Sequence, residues 1–197
     1  MNPGQEDLVD PTPPTETKRR WWQRRPPAVP RTRWQRVRRF LLDVAILGVL
    51  AIGISFWQGR SLLGSGAAAP AFSLTTTDGQ RITTTDLKGQ KTLLAFWAPW
   101  CGVCGAESDN LSRIQSWLGG RVRVVSVVLD ARGDGDVQKF MTEQAVDYPV
   151  LLGNPAIAAA YQVKSYPTIY VLDAEGHIEH AVVGYTTTAG LLGRVLF

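Results

Sequence analysis

Two cysteines, Cys101 and Cys104, are the only ones in 197 residues. They stand three apart in the run Phe96-Trp97-Ala98-Pro99-Trp100-Cys101-Gly102-Val103-Cys104. Such a pair can exchange a disulfide for two thiols, provided that one thiol ionises readily and the other lies within reach. A structural zinc site would need four ligands, and there is no second cysteine pair. His177 and His180 fall at i and i+3 of an expected strand, where side chains point to opposite faces. A purely structural bridge over so short a loop would remove little chain entropy. The reading that remains is a redox pair.

The elements around the pair have to position it. Thr92 to Trp97 is a short apolar run stopped by Pro99, which predicts a buried strand ending at a turn. Leu111, Ile114 and Leu118 then recur at helical spacing, so Cys104 and the residues after it lie on an amphipathic helix. Cys101 is thereby placed at the helix N-terminus, where unpaired N–H groups and the helix dipole favour a thiolate. Cys104, one turn on, is close enough to bond to it and is expected to be the more buried. Trp97 and Trp100 flank the pair as apolar surface, although Trp97 also reads as plain core.

The net charge of +4 is uneven. Residues 1–39 hold ten Lys/Arg against four Asp/Glu, whereas residues 58–197 hold eleven against twelve. The basic character belongs to a tail, so the folded part carries no nucleic-acid footprint. That tail, 1–39, is proline-rich, lacks apolar periodicity and is expected to be disordered. Phe40 to Trp57 is an apolar run of 18 residues broken by one charge, Asp43. As a helix it would be roughly 27 Å long, enough for a bilayer core. Lys/Arg before it and few after it predict a cytoplasmic N-terminus, with the rest of the chain across the membrane. Asp43 lies one turn from the interface, which suits an acid near headgroups. Ala67-Ala68-Ala69 has the character of a signal-peptide cleavage site, but it lies far beyond the run and Pro70 follows, so an uncleaved anchor is expected. Residues 58–69 then read as a flexible tether.

A domain is expected over 70–197. Phe72-Ser73-Leu74 and Arg81-Ile82-Thr83 flank the turn Asp78-Gly79, and Asp86 to Gly89 reads as one helical turn. Val122 to Leu129 is a second buried strand, Asp136 to Ala145 a helix and Tyr148 to Leu152 a short strand. Asn154-Pro155 opens a further helix with an N-cap and an N1 proline. Strands at Thr168–Leu172 and 177–183, joined by a turn at Asp173–Gly176, precede a last helix at Thr188–Leu196. The alternation implies an α/β domain, a mixed central sheet with helices on both faces.

Trp-Ala-Pro-Trp-Cys-Gly-Val-Cys, with Tyr166-Pro167-Thr168 downstream, resembles the thioredoxin fold. The opening Pro70 to Leu74, Asp78-Gly79 and Asp86 to Gly89 is similar to the N-terminal hairpin of its membrane-anchored TlpA-like branch. That branch includes the cytochrome c maturation and suppressor-of-copper-sensitivity thioredoxins. The long interval Asp130 to Tyr166 leaves room for its central helix–strand insertion. The resemblance implies that Pro167 is a cis proline facing the cysteines and that Glu107 is an active-site carboxylate exchanging a proton with Cys104. It also implies that Trp100, Gly102, Val103, Tyr166 and Thr168 meet the substrate. Two positions depart from the pattern: Asp109 stands where the branch commonly has proline, and Ala95 where thioredoxin has a buried aspartate.

The function expected is a protein thiol–disulfide oxidoreductase anchored in a bacterial inner membrane, its domain in the periplasm. It would reduce client disulfides and be re-reduced by a membrane electron donor of the DsbD/CcdA type. Its only redox group would be the Cys101–Cys104 pair, with no separate cofactor. A disulfide oxidase or isomerase would use the same residues. A periplasmic copper carrier holding Cu(I) on both thiolates is the alternative of another class.

Overall fold

A computed structural model describes the backbone of residues 33–59 and 62–197. Most of the expected disordered tail, 1–32, lies outside the described residues. The first helix, α1, runs Arg33–Gly59, so it includes the expected span 40–57 and extends beyond it at both ends. Its apolar side chains from Phe40 to Leu50 are exposed. Several side chains in its second half lie outside the described set; among the described residues no helix is long and apolar enough to cross a membrane.

The sheet is built on β3 (Lys91–Trp97), six of whose seven residues are buried. On one side it pairs in parallel with β4 (Val122–Val128), which pairs in parallel with β5 (Val150–Leu152). On the other it pairs antiparallel with β6 (Thr168–Leu172), and β6 with β7 (Ile178–Val183). The order β5-β4-β3-β6-β7 is the mixed sheet that the alternation predicts. A separate hairpin, β1 (Ser73–Thr75) with β2 (Arg81–Thr83), turns at Asp78-Gly79 and is followed by a 3-10 turn over Thr84–Leu87.

Pleating sends alternate residues of β3 to opposite faces. Leu93 and Ala95 meet Leu111 and Ile114 of α2 (Gly102–Leu118) and Leu191 and Val195 of α5 (Thr188–Leu196). Leu94 and Phe96 face the other way, towards Leu74 of the hairpin and Ile157 of α4 (Pro155–Ala160). Phe96 is fully buried there beside Tyr161 and Tyr170, a burial that contributes about 1.5–3 kcal/mol. α4 starts as its sequence predicts, with Asn154 Oδ1 accepting from the Ile157 N–H at 3.0 Å. A third helix, α3 (Asp134–Glu143), starts two residues earlier than its pattern suggests and supplies Val137 and Phe140 to a third apolar cluster, the one that holds the cysteines.

The segment read as a tether is not free along its length. Leu62 and Leu63 pack on the tyrosine-rich face of the core. Gly66 N–H donates to Ile178 O at 2.8 Å, Ile178 N–H to Ala67 O at 2.8 Å and Ala69 N–H to Gly176 O at 2.9 Å. Gly/Ser/Ala composition suggested slack, but main-chain pairing with the start of β7 is indifferent to side-chain size. At the opposite edge of the sheet the hairpin reaches β5, where Thr76 bridges Leu151 and Thr77 N–H donates to Val150 O at 3.0 Å.

Candidate active site

β3 delivers its C-terminal end, through Ala98, Pro99 and Trp100, to the start of α2. Cys101 is the N-cap residue, in extended backbone, and Cys104 lies in the first turn. The two are joined as a disulfide with Cα atoms 5.3 Å apart. Cys101 is 9% exposed and Cys104 3%, so the second cysteine is the more buried, as the helix position predicts. The N-cap position sets Cys101 against the unpaired N–H groups of α2, which favour its thiolate once the bond is opened.

The floor beneath the pair is apolar. Trp97, Ala98, Val128, Val137, Phe140 and Val150 form one cluster with the two cysteines. Trp97 stacks on Phe140 with ring centroids 4.1 Å apart, and its indole N–H donates to Ser126 Oγ at 3.1 Å. Trp97 is therefore both core and wall: it is 5% exposed yet shares a cluster with the sulfurs. Trp100 does the opposite, standing 61% exposed with its ring edge-on to Tyr166 at 5.7 Å.

The Tyr166–Pro167 peptide bond is cis, the isomer that the resemblance implies for it. Thr168 pairs with Phe96 across β3 and β6, which brings this turn to the same end of the sheet as the cysteines. Tyr166 packs on the cysteine cluster, and its hydroxyl donates to Asp130 Oδ2 at 2.7 Å. Gly102 and Val103 are exposed beside the disulfide. Thr168 is different. It is fully buried and its hydroxyl donates to Ser165 O at 2.8 Å, so its side chain braces the turn and is not presented to a substrate.

Glu107 lies one helical turn beyond Cys104 and is 1% exposed. Its Oε2 accepts from the Thr186 N–H at 2.7 Å, while its Oε1 is buried without a partner. Burial pushes its pKa up from 4.5 to about 7, against the smaller opposing effect of the Thr186 hydrogen bond. The carboxyl is thus balanced between its two forms near neutral pH. Ala95, on β3, lies among aliphatic side chains and offers no second acid there. Asp109 leaves α2 continuous from Gly102 to Leu118.

Two polar residues here are not singled out by the sequence. Asn110 is 3% exposed and hydrogen-bonds to Thr186 and Thr188, which lie just before and at the start of α5. Asp130, with φ 53°, holds the Tyr166 hydroxyl. A signal for Asn110 was present: Glu107, Asn110, Leu111 and Ile114 fall on one helical stripe, and two polar residues on a buried stripe need partners.

Comparison with known proteins agrees with this geometry. The model of the AhpC/TSA family matches residues 65–181. The thioredoxin-like protein YneN of Bacillus subtilis is 33% identical over 151 residues, which cover 72% of this chain and 89% of that protein. The thiol-disulfide oxidoreductase ResA of the same organism is 31% identical over 158 residues, 76% of this chain and 88% of that one. Among solved structures, a secreted Mycobacterium tuberculosis disulfide oxidoreductase homologous to E. coli DsbE superposes with a TM-score of 0.57 at 29% identity, covering 64% of this chain and 94% of that one.

Proposed function

Given that this chain belongs to the AhpC/TSA family and is a thiol–disulfide oxidoreductase of the ResA and DsbE type, we propose that it works as a reductant of protein disulfides, held at a bacterial inner membrane with its domain in the periplasm. The observation that carries the reading is the Cys101–Cys104 disulfide at the N-cap of α2, next to the cis-Pro167 turn and one helical turn from a buried carboxyl.

In the reduced enzyme the Cys101 thiolate attacks a client disulfide. A Cys101–client mixed disulfide forms and one client sulfur leaves as thiolate. Cys104 gives its proton to the Glu107 carboxylate and attacks Cys101 Sγ, which releases the second client thiolate and closes the Cys101–Cys104 bond. Two electrons have passed to the client. Trp100, Gly102, Val103 and Tyr166 form the rim that the client meets, and the backbone at Pro167 pairs with an extended client segment. A membrane dithiol donor of the DsbD/CcdA type then returns two electrons, a supply needed where the compartment is kept oxidising.

The anchor is supported by the sequence of residues 40–57 and by the exposed apolar side chains from Phe40 to Leu50, which would need a non-aqueous neighbour. The basic residues before it favour a cytoplasmic N-terminus. The test is the state of the cysteines in growing cells. Alkylation after acid quenching should find most of the pair as thiols in a strain with its electron donor and as disulfide without it. A pair that stays oxidised in both strains rejects the reductive direction, and full release of the protein by alkaline carbonate rejects the anchor.

A further inference from the structure

The inner face of α2 does more than carry the cysteine pair. An amide at Asn110 is buried on the stripe that faces the core, and both ends of it are used. Its Nδ2 donates to Thr186 O at 3.0 Å and its Oδ1 accepts from Thr188 Oγ1 at 2.7 Å. Donor meets carbonyl and acceptor meets hydroxyl, so the amide is satisfied in one orientation only. Thr186 is held on both sides by one helix: its N–H goes to Glu107 Oε2 and its C=O to Asn110.

The held segment, Gly184 to Thr188, also reaches the substrate turn. Gly184, with φ 84°, donates its N–H to Pro167 O at 2.8 Å. That backbone conformation disfavours any side chain. Tyr185, between the two anchor points, is 52% exposed. One short stretch thus joins the carbonyl of Pro167, the carboxylate of Glu107 and the amide of Asn110.

We propose that Asn110 is a positioning residue: by gripping Thr186 and Thr188 it holds Gly184–Thr188 so that the Thr186 N–H stays on Glu107 and the Gly184 N–H on the Pro167 carbonyl. Glu107 Oε1 has no partner, so the Thr186 N–H is what compensates the buried charge. The ionisable groups around this segment include the cysteine pair, Asp109 on α2, Asp147 and Tyr148 ahead of β5, Tyr185 on the held segment and Arg194 on α5. Arg194 is the one cation of this set; its Nη1 donates to Gly190 O at 2.9 Å, and among the described residues no salt bridge reaches Glu107. If the segment loosens, the carboxylate loses its one donor and binds its proton more tightly.

For turnover this inference rests on Glu107 being the proton acceptor, and the test separates the two. The full chain, with 13C-labelled glutamate, is titrated by NMR as wild type, Asn110→Ala and Thr188→Val, with Glu107→Gln identifying the signal. The pH profile of disulfide reduction is measured on the same samples. Asn110→Ala should raise the Glu107 midpoint by about one pH unit and Thr188→Val by less, with faster hydrogen exchange at the Thr186 amide. The rise of activity with pH should move upward in step. A midpoint unchanged in both variants overturns the proposal; should Asn110→Ala fail to fold, Thr188→Val alone decides. A midpoint that moves while the activity profile does not leaves Asn110 as the positioning residue and rejects Glu107 as the acceptor.

Discussion

Within two turns, α2 serves two buried sites of opposite character. At its first turn the sulfurs lie among Trp97, Ala98, Val128, Val137, Phe140 and Val150, with hardly a polar group within the cluster. A turn further on, Glu107 and Asn110 are equally buried but face backbone and hydroxyl groups of Thr186 and Thr188. The first site suits the transfer of electron pairs between soft, polarisable sulfur atoms, with the N–H groups at the start of α2 as its polar element. The second suits a proton, which needs an acceptor whose affinity is set by burial and one donor.

The division is broken most severely at the first sulfur. Cys101→Ser should lower disulfide reduction by at least about a thousandfold, because the remaining thiol, Cys104, is 3% exposed and lies inside the helix, away from the N-cap. A stopped-flow assay of the full chain with a model protein disulfide reads this directly. Next, Phe140→Ala should cost about 3 kcal/mol by opening a cavity against Trp97, seen as a lower denaturant midpoint at unchanged slope. It should act on stability and on alkylation of the reduced cysteines, leaving the Glu107 titration where it was.

Glu107→Gln addresses the other side. It should slow resolution of the mixed disulfide by about a hundredfold, some 2.7 kcal/mol of barrier, and flatten the pH dependence near neutrality. It should also change stability in a signed way. Because the folded pKa lies above the unfolded one, the folded state holds the proton more tightly, and wild-type stability falls as pH rises from about 4.5 to about 7, then levels off. The variant should lack that slope in paired denaturation curves. The smallest effect belongs to Tyr166→Phe, which removes the hydrogen bond to Asp130 at a cost under about 1 kcal/mol. It should appear in KM for a protein client and not in kcat.

Much of the cysteine site was legible in the sequence because it is local. A strand, a proline and a helical stripe within one stretch place Cys101 at an N-cap whatever the rest of the chain does. The same holds for Asn154 and Pro155 at the start of α4. What could not be read depends on segments far apart in the chain. Asn110 lies 76 residues from Thr186, Asp130 36 from Tyr166 and Trp97 29 from Ser126. The resemblance implies a substrate contact at Thr168, but the pleat turns its side chain inward, where its hydroxyl meets Ser165 O. The pairing of Gly66 to Ala69 with the start of β7 is not legible in the sequence because main-chain hydrogen bonds leave no trace in composition.

The hairpin's grip on β5 has a consequence for how the sheet meets other chains. A bare edge strand is a template on which another polypeptide can build, and the exposed edges of sheets are where aggregates start. Through Thr76 and Thr77 this protein seals that border with its own residues before any client arrives. A catalyst of thiol–disulfide exchange in proteins can then meet its partners at the sulfurs without offering that edge as a template.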